Sequence, residues 1–567
     1  MIITLLLLCS CGQSGTDGDT SAGDYTISKA DTSGMDFSVS DSGEIDANGT
    51  PIDLSTAKFD SSLSGISAYA VTRAGTYTLT GTKNDAMIIV DADKAEVNLV
   101  LSGAEINNSK GPAIYVRSAK KVTLSAAKGT TSTLSDGSSY SVTDSDSTLD
   151  AAVFSKADIT LNGGGTLILN GNYKHGIVSK DDLIISSGTV KVTSKNVGIC
   201  GKDCVKIDSG SITVNADSDG IRSDNEEDSS KGYIYLNGGT LNITAGNDGV
   251  QAATVLKADN VNLTLNTGKG SANSLSSASE SYKGLKAGSD IYLSGGSFNI
   301  DSTDDCIHSN GTITVSGGTY TLSSGDDGIH ADTDLEISEN ATKISITKSY
   351  EGIEATNINI KGGTVSVVAS DDGLNAAGGD NSSGDAQMRP GKGLFSSSTG
   401  TLNISGGDIY IEMGGDGIDA NGSMSITGGT ITVNGANSGD TSILDYDTTG
   451  AISGGTFIGT GASGMAQNFS TDSTQGVIMV MTGTQSAGST VKLTDSSNKE
   501  LLTYTAKRDF SCVIISSSDI ESGKTYTLTA GSSTTSITMD GTVYGSGNSG
   551  GMGGPVGMGG GGMGGRR

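Results

Sequence analysis

The chain has 567 residues, enough for more than one domain, but its 85 Gly, four Pro, eight Phe and absent Trp rule out an ordinary aromatic-rich globular core. Its 35 basic and 63 acidic residues give a net charge of −28. A polyanion such as DNA would meet long-range repulsion, which excludes nucleic acid as a partner.

The chain opens "MIITLLLLCSCGQSG", an apolar run too short to span a bilayer. It ends in Leu8-Cys9-Ser10-Cys11, similar to a bacterial lipobox, which predicts a lipoprotein signal peptide over 1–11 with Cys11 lipidated. No basic residue precedes the run, so a soluble secreted form is the alternative. Residues 12–50 are rich in Ser, Thr, Asp and Gly and read as a disordered tether. The predicted address is the extracellular face of the bacterial envelope, with the membrane as partner through the lipid. With Cys9 removed and Cys11 lipidated, Cys200, Cys204, Cys306 and Cys512 remain, too few for a disulfide framework. Cys200 and Cys204 read as small buried residues, with a bridge between them as the alternative.

A short motif then recurs: a polar or acidic residue, Gly or Cys, and an aliphatic residue. It marks Gly176, Gly198, Gly220, Gly249, Gly284, Cys306, Gly328, Gly352, Gly373, Gly417 and Gly439, so the unit is about 22 residues and the 44-residue step at Gly373 reads as two units. In phase with it run "LNGGTLNI", "LSGGSFNI", "VSGGTYTL" and "ITGGTITV", alternating strands around a Gly-Gly turn. Three short strands per unit without a helical period predict an all-β chain: a single-stranded parallel β-helix over 51–461 with small aliphatics inside. Glycine is required where φ is positive or successive coils approach closely. From 462 to 542 hairpin-like strands lack the marker and read as an antiparallel capping module. Residues 543–567, ending "GGMGGRR", read as a disordered tail.

Repetition in register stacks equivalent positions. The place before the marker reads Asp219, Asp248, Lys283, Asp305, Asp327, Glu351, Asp372 and Asp416. The place before that includes Tyr282, Asp304, Asp326, Tyr350 and Asp371. Carboxylates one coil apart repel by about 3–4 kcal/mol at an effective dielectric of about 20. That repulsion invites a cation, and six to eight oxygen ligands suit calcium. The predicted ligands are Asp219, Asp248, Asp304, Asp305, Asp326, Asp327, Glu351, Asp371 and Asp372; the alternative is a solvated face whose carboxylates accept turn amides. Two places after the marker a mixed stripe reads Arg222, Gln251, Lys286, His308, His330, Glu354, Asn375 and Asp419. Its donors and acceptors suit a polysaccharide, with Arg222, Lys286, His308, His330 and Glu354 as contacts and Tyr282 and Tyr350 as faces for sugar rings.

The lipobox, the "GGT" strands, the "DDGI" and "DDGL" turns, "GMAQNFSTDSTQG" and "GKTYTLTAG" together resemble a bacterial family of carbohydrate-binding β-helix surface proteins, typified by clostridial proteins that bind cellulose and acidic sugars. The resemblance covers about residues 50 to 541. It implies a right-handed parallel β-helix, bound calcium and affinity for plant cell-wall polysaccharide, in a shape related to calcium-dependent pectate lyases. The family's acidic turn falls on Asp304-Asp305, Asp326-Asp327 and Asp371-Asp372. The expected function is non-catalytic binding of polygalacturonate-like polymer, or of cellulose, by a monomer. Two alternatives stand beside it. A pectate-type lyase would use Lys283 or Lys286 as base, although a lysine among aspartates has its pKa raised. A surface spacer or adhesin would use calcium only for stiffness.

Overall fold

Alternation decides which side of each strand is inside. In Ser297–Ser302 the residues Phe298, Ile300 and Ser302 are buried while Ser297, Asn299 and Asp301 are exposed. Burying side chains the size of Phe298 and Ile300 contributes roughly 1.5–3 kcal/mol each. The computed structural model describes residues 29–39, 43–60, 66–142, 149–273, 280–377 and 400–547, and among them it contains strands and no helix. The predicted signal peptide, Cys11, most of the 376–400 loop and nearly all of the tail lie outside the described residues.

The strands form one long parallel sheet, consistent with a β-helix, and a smaller antiparallel sheet near the C-terminus. Three parallel ladders recur. Ile307–Ser309 pairs with Leu285–Ala287 before it and Ile329–Ile337 after it in the first. Ile313–Val315 does the same in the second, and Thr319–Ser324 in the third. One aliphatic core runs continuously from Ile52 to Ile514, widened by the stacked Phe298 and Tyr320 rings, 4.7 Å apart.

Glycine serves two separate needs. The second glycine of each Gly-Gly turn has positive φ, as at Gly239 (90°) and Gly318 (92°). The marker glycines instead sit where coils nearly touch: a Cβ on Gly352 would lie 2.3 Å from both the Gly373 carbonyl oxygen and Val367 Cγ1. Gly352→Ala is therefore expected to cost about 1–3 kcal/mol by overpacking, read as a lowered thermal midpoint. An unchanged midpoint would show that neighbouring coils can separate at no cost.

Several expectations are corrected. The 44-residue step is one coil with an insertion, because Leu374–Ala376 pairs directly with Ile418–Ala420. The last marker is Ile443, not Gly439: the Ile418 amide donates to the Ile443 carbonyl, and Leu444 continues the ladder. Part of the supposed tether is ordered on the body: its last residue, Thr50, opens a strand that pairs with Gly75–Asn84, and Met35 is buried against Cys204, Tyr233 and Val255. Apolar Met35 and Phe37 outweigh the polar composition around them. At the other end Val543 and Tyr544 pair with Val477 and Ile478. The four cysteines are free and buried.

Phe510–Ser516 lies antiparallel to both Thr456–Gly461 and Val477–Gln485, which ends the third ladder with paired backbone groups. Beside it Glu500–Thr505, Thr490–Asp495, Thr525–Ala530 and Ser533–Thr538 form the antiparallel sheet around their own core.

Candidate functional site

Each strand of the first ladder is short, with aliphatic residues turned inward and one side chain outward. Register then stacks Cys200, Arg222, Gln251, Lys286, His308, His330, Glu354, Asn375, Asp419 and Asp445 in a single row. The stripe drawn from sequence therefore exists as a row, and its last member, Asp445, was missed because Gly439 was taken for the marker.

Beside the row, the acidic column is not an exposed edge. Asp219, Asp248, Asp305 and Asp327 are 2–6% exposed. One oxygen of each accepts the amide of the equivalent residue in the next coil: Asp248 to Asp219 (3.3 Å), Lys283 to Asp248 (2.8 Å), Asp327 to Asp305 (3.0 Å) and Glu351 to Asp327 (3.2 Å). The other oxygen turns to the row, towards Arg222 (3.4 Å), Lys286 (3.0 Å), His308 (2.8 Å) and His330 (3.0 Å) in turn. The carboxylates thus bind coil to coil and position the outward side chains, and these four predicted metal ligands already have partners within the chain. The hydrogen bonds from turn amides are those of the second reading, but the face is buried where that reading had it solvated.

Lys283 stands at a denser knot. Its Nζ is 2.8 Å from Asp304 Oδ1 and 2.6 Å from Asp305 Oδ2, and single oxygens of Asp304, Asp305 and Asp326 lie within 4.8 Å of one another. Burial alone would lower the Lys283 ammonium, but the charges of Asp305 and Asp304 raise it well above the ordinary range. The same burial pushes Asp326 up to about 6. His330 follows the logic of Lys283: burial disfavours its charge, but hydrogen bonds with Asp327, Asp332 and Glu354 outweigh it and raise the ring above the ordinary histidine range. Its ring lies 4.9 Å from that of His308, whose Nε2 is 3.1 Å from Asn310 Oδ1.

Beyond Glu354 the row loses its cations. Burial, and then the neighbouring carboxylates, push Glu351 and Asp419 up to about 8; burial likewise brings Asp372 to about 7. The charges around Asp419 are those of Asp372, Asp445, Asp416 and Asp447, all carboxylates. Between Glu354 and Asp419 sits Asn375, 6% exposed, whose Nδ2 donates to Glu351 Oε2 at 2.7 Å. Its Oδ1 is buried and has no hydrogen-bond partner among the described residues. A buried acceptor without a donor costs about 1–3 kcal/mol, so this oxygen suits a cation ligand, which sequence alone did not single out.

The two tyrosines differ. Tyr350 is 49% exposed, and its hydroxyl is hydrogen-bonded to Asp371, which raises the phenol above its ordinary range. Tyr282 is half-buried, bonds Glu280 through its hydroxyl, and donates its amide to Asp304 Oδ2 (3.3 Å).

The family model for carbohydrate-binding domain-containing proteins matches residues 66–328 and 311–392. A carbohydrate-binding domain-containing protein of Acetivibrio thermocellus is 34% identical over 200 residues, spanning 35% of this chain and 70% of that protein. Among solved structures, a polysaccharide lyase-like protein from C. thermocellum, studied as a gadolinium derivative, matches 52% of this chain and 97% of its own at 28% identity and a TM-score of 0.35.

Proposed function

The chain belongs to the carbohydrate-binding domain-containing protein family, and from that premise we propose that it holds an acidic, uronate-containing polysaccharide along the row from Arg222 to Asp445, without catalysis. The observation that carries this reading is the division of the row. Arg222, Lys286, His308 and His330 offer donors to carboxylates and hydroxyls, and among the described residues the charges that act most on Asp419 beyond them are those of other carboxylates. Glu351, Asp372, Asp419 and Asn375 Oδ1 would hold calcium, which when bound supplies positive charge towards a uronate carboxylate. Tyr350 presents an open ring face nearby.

The proposal extends to a right-handed, single-stranded coil, in keeping with the general hand of parallel crossovers. It also places a monomer on the outer face of the cell envelope, anchored at Cys11. Against a lyase, the Lys283 ammonium is stabilised by Asp304 and Asp305, the opposite of what a general base needs.

Affinity electrophoresis through polygalacturonate gels tests the reading. Retardation is expected with calcium and lost with a chelator, and Lys286→Ala with His308→Ala is expected to weaken it at least tenfold at a temperature where circular dichroism shows the variant folded, since both changes also strip buried Asp248 and Asp305 of a partner. Equal mobility in sugar-containing and sugar-free gels, with calcium present, would sink the proposal.

A further inference from the structure

On the outer side of the second ladder, successive strands carry Lys206, Tyr235, Lys257 and Tyr292 in register. Ammonium groups and phenol rings thus alternate at the strand spacing of about 4.8 Å. On the body itself Asp259 lies 3.3 Å from Lys257 Nζ and accepts the Tyr235 hydroxyl at 2.7 Å, and Asp290 accepts the Tyr292 hydroxyl at 2.8 Å, which leaves the Lys206 ammonium to a partner from outside the sheet.

Residues 29–39 lie over it. Asp36 Oδ2 is 3.2 Å from Lys206 Nζ, and the Lys206 side chain is only 3% exposed. Phe37 meets the rings of Tyr233 and Tyr235 edge-on, each at 5.3 Å. Lys257 Nζ lies 5.0 Å from the Phe37 ring and 4.9 Å from that of Tyr235. The Ala30 amide donates to Asp290 Oδ2 at 2.6 Å. The segment therefore gives a carboxylate to an ammonium and a ring to a ring.

A purely structural seam would not need these lysines, because well-packed apolar residues hold two surfaces together at least as well as a buried ion pair. What the column does suit is a ligand carrying a carboxylate on every ring: the ammonium takes the carboxylate and the phenol takes the C–H face. Past Lys29 the same flank opens into a cavity of about 630 Å³ lined by Asn310, Thr312, Asp334 and Asn357, with room for the chain of such a ligand to continue.

We propose that Lys206, Tyr235, Lys257 and Tyr292 form a second surface for uronate oligosaccharides, independent of calcium, and that residues 29–39 occupy it as an internal competitor. This rests on the function proposed above only in taking acidic sugar as the ligand class.

The test is titration calorimetry of trigalacturonate with the full chain in chelator. Three proteins are compared: wild type, a release variant (Met35→Ser, Asp36→Ala, Phe37→Ser), and the release variant carrying Lys206→Gln and Lys257→Gln. Deuterium exchange over residues 29–39 reports whether the segment has left. The release variant is expected to bind at least tenfold more tightly than wild type, and the added glutamines to remove that gain. If the five-fold variant does not fold, Lys206→Gln alone in the release background is the comparison. The proposal is overturned by a released segment without a gain, by a gain that survives loss of the lysines, or by residues 29–39 staying protected once these contacts are gone. Calcium-dependent retardation of the wild type in polygalacturonate gels reads the other row, and the gain measured in chelator reads only this surface, so failure of either idea is seen separately.

Discussion

Lys283→Met is expected to destabilise the chain by about 3–5 kcal/mol in chelator and to make it more responsive to calcium than the wild type. The ammonium lies 2.8 and 2.6 Å from carboxylates that are themselves 3% and 2% exposed. Removing it leaves buried Asp304 without its ammonium and Asp305 with only its His308 contact, beside Asp326. Taking away one partner of a buried pair costs far more than the pair contributes as a whole, because the remaining charge has lost its water as well. In the wild type this lysine does the work of a counter-ion, and without it three acidic oxygens within 4.8 Å of one another become a site for a divalent cation. Calcium at about a thousand times its dissociation constant would return about 4 kcal/mol. Denaturant titrations of both proteins, with calcium and with chelator, measure both effects. Wild-type stability in the variant, or a loss that calcium leaves untouched, would refute the counter-ion role.

In chelator, wild-type stability is expected to fall steeply between pH 5 and pH 8, by about 3 kcal/mol for each of three buried carboxyls. Burial holds Glu351 and Asp419 near 8 and Asp372 near 7, whereas in the unfolded chain such groups ionise near 4. Across this window the folded state keeps protons that the unfolded state has lost, so raising the pH favours unfolding. His330 adds to the decline above its ordinary value, since its folded pKa is also raised. Calcium is expected to flatten the slope, because a bound cation favours the ionised carboxyls and displaces their protons. Denaturation midpoints at several pH values measure it; stability that rises with pH in chelator would overturn the assignment of these acids.

The sequence made one row legible because the 22-residue unit is read directly from side-chain identity: Arg222 to Asp419 stack as the spacing requires. Register failed where identity and geometry part. Ile443 takes the place of a marker glycine in the last coil, so no glycine announces it, and the insertion after Ala376 doubles a step without adding a coil. The double duty of the aspartates was only half visible. The sequence shows a carboxylate before the marker in most coils from Asp219 to Asp416, but not that one oxygen reaches the next coil's amide while the other holds the outward side chain. The docked segment was hidden by averaging: Met35 and Phe37 are two residues in a stretch of Ser, Asp and Gly, and only their contacts with Tyr233 and Tyr235 reveal that the stretch is held.

The insertion after Ala376 has a wider consequence. Leu374–Ala376 still meets Ile418–Ala420 strand to strand, so the ladder tolerates a long excursion between coils without losing register. Loops and rows are therefore separately editable: excursions can be lengthened or exchanged while the outward letter of each coil is rewritten one position at a time. Duplicating a single coil would lengthen the row by one strand spacing, about 4.8 Å, and leave every other contact in place. A protein built this way can match a polymer of a new length or charge pattern by adding or respelling coils, with no need for a new fold.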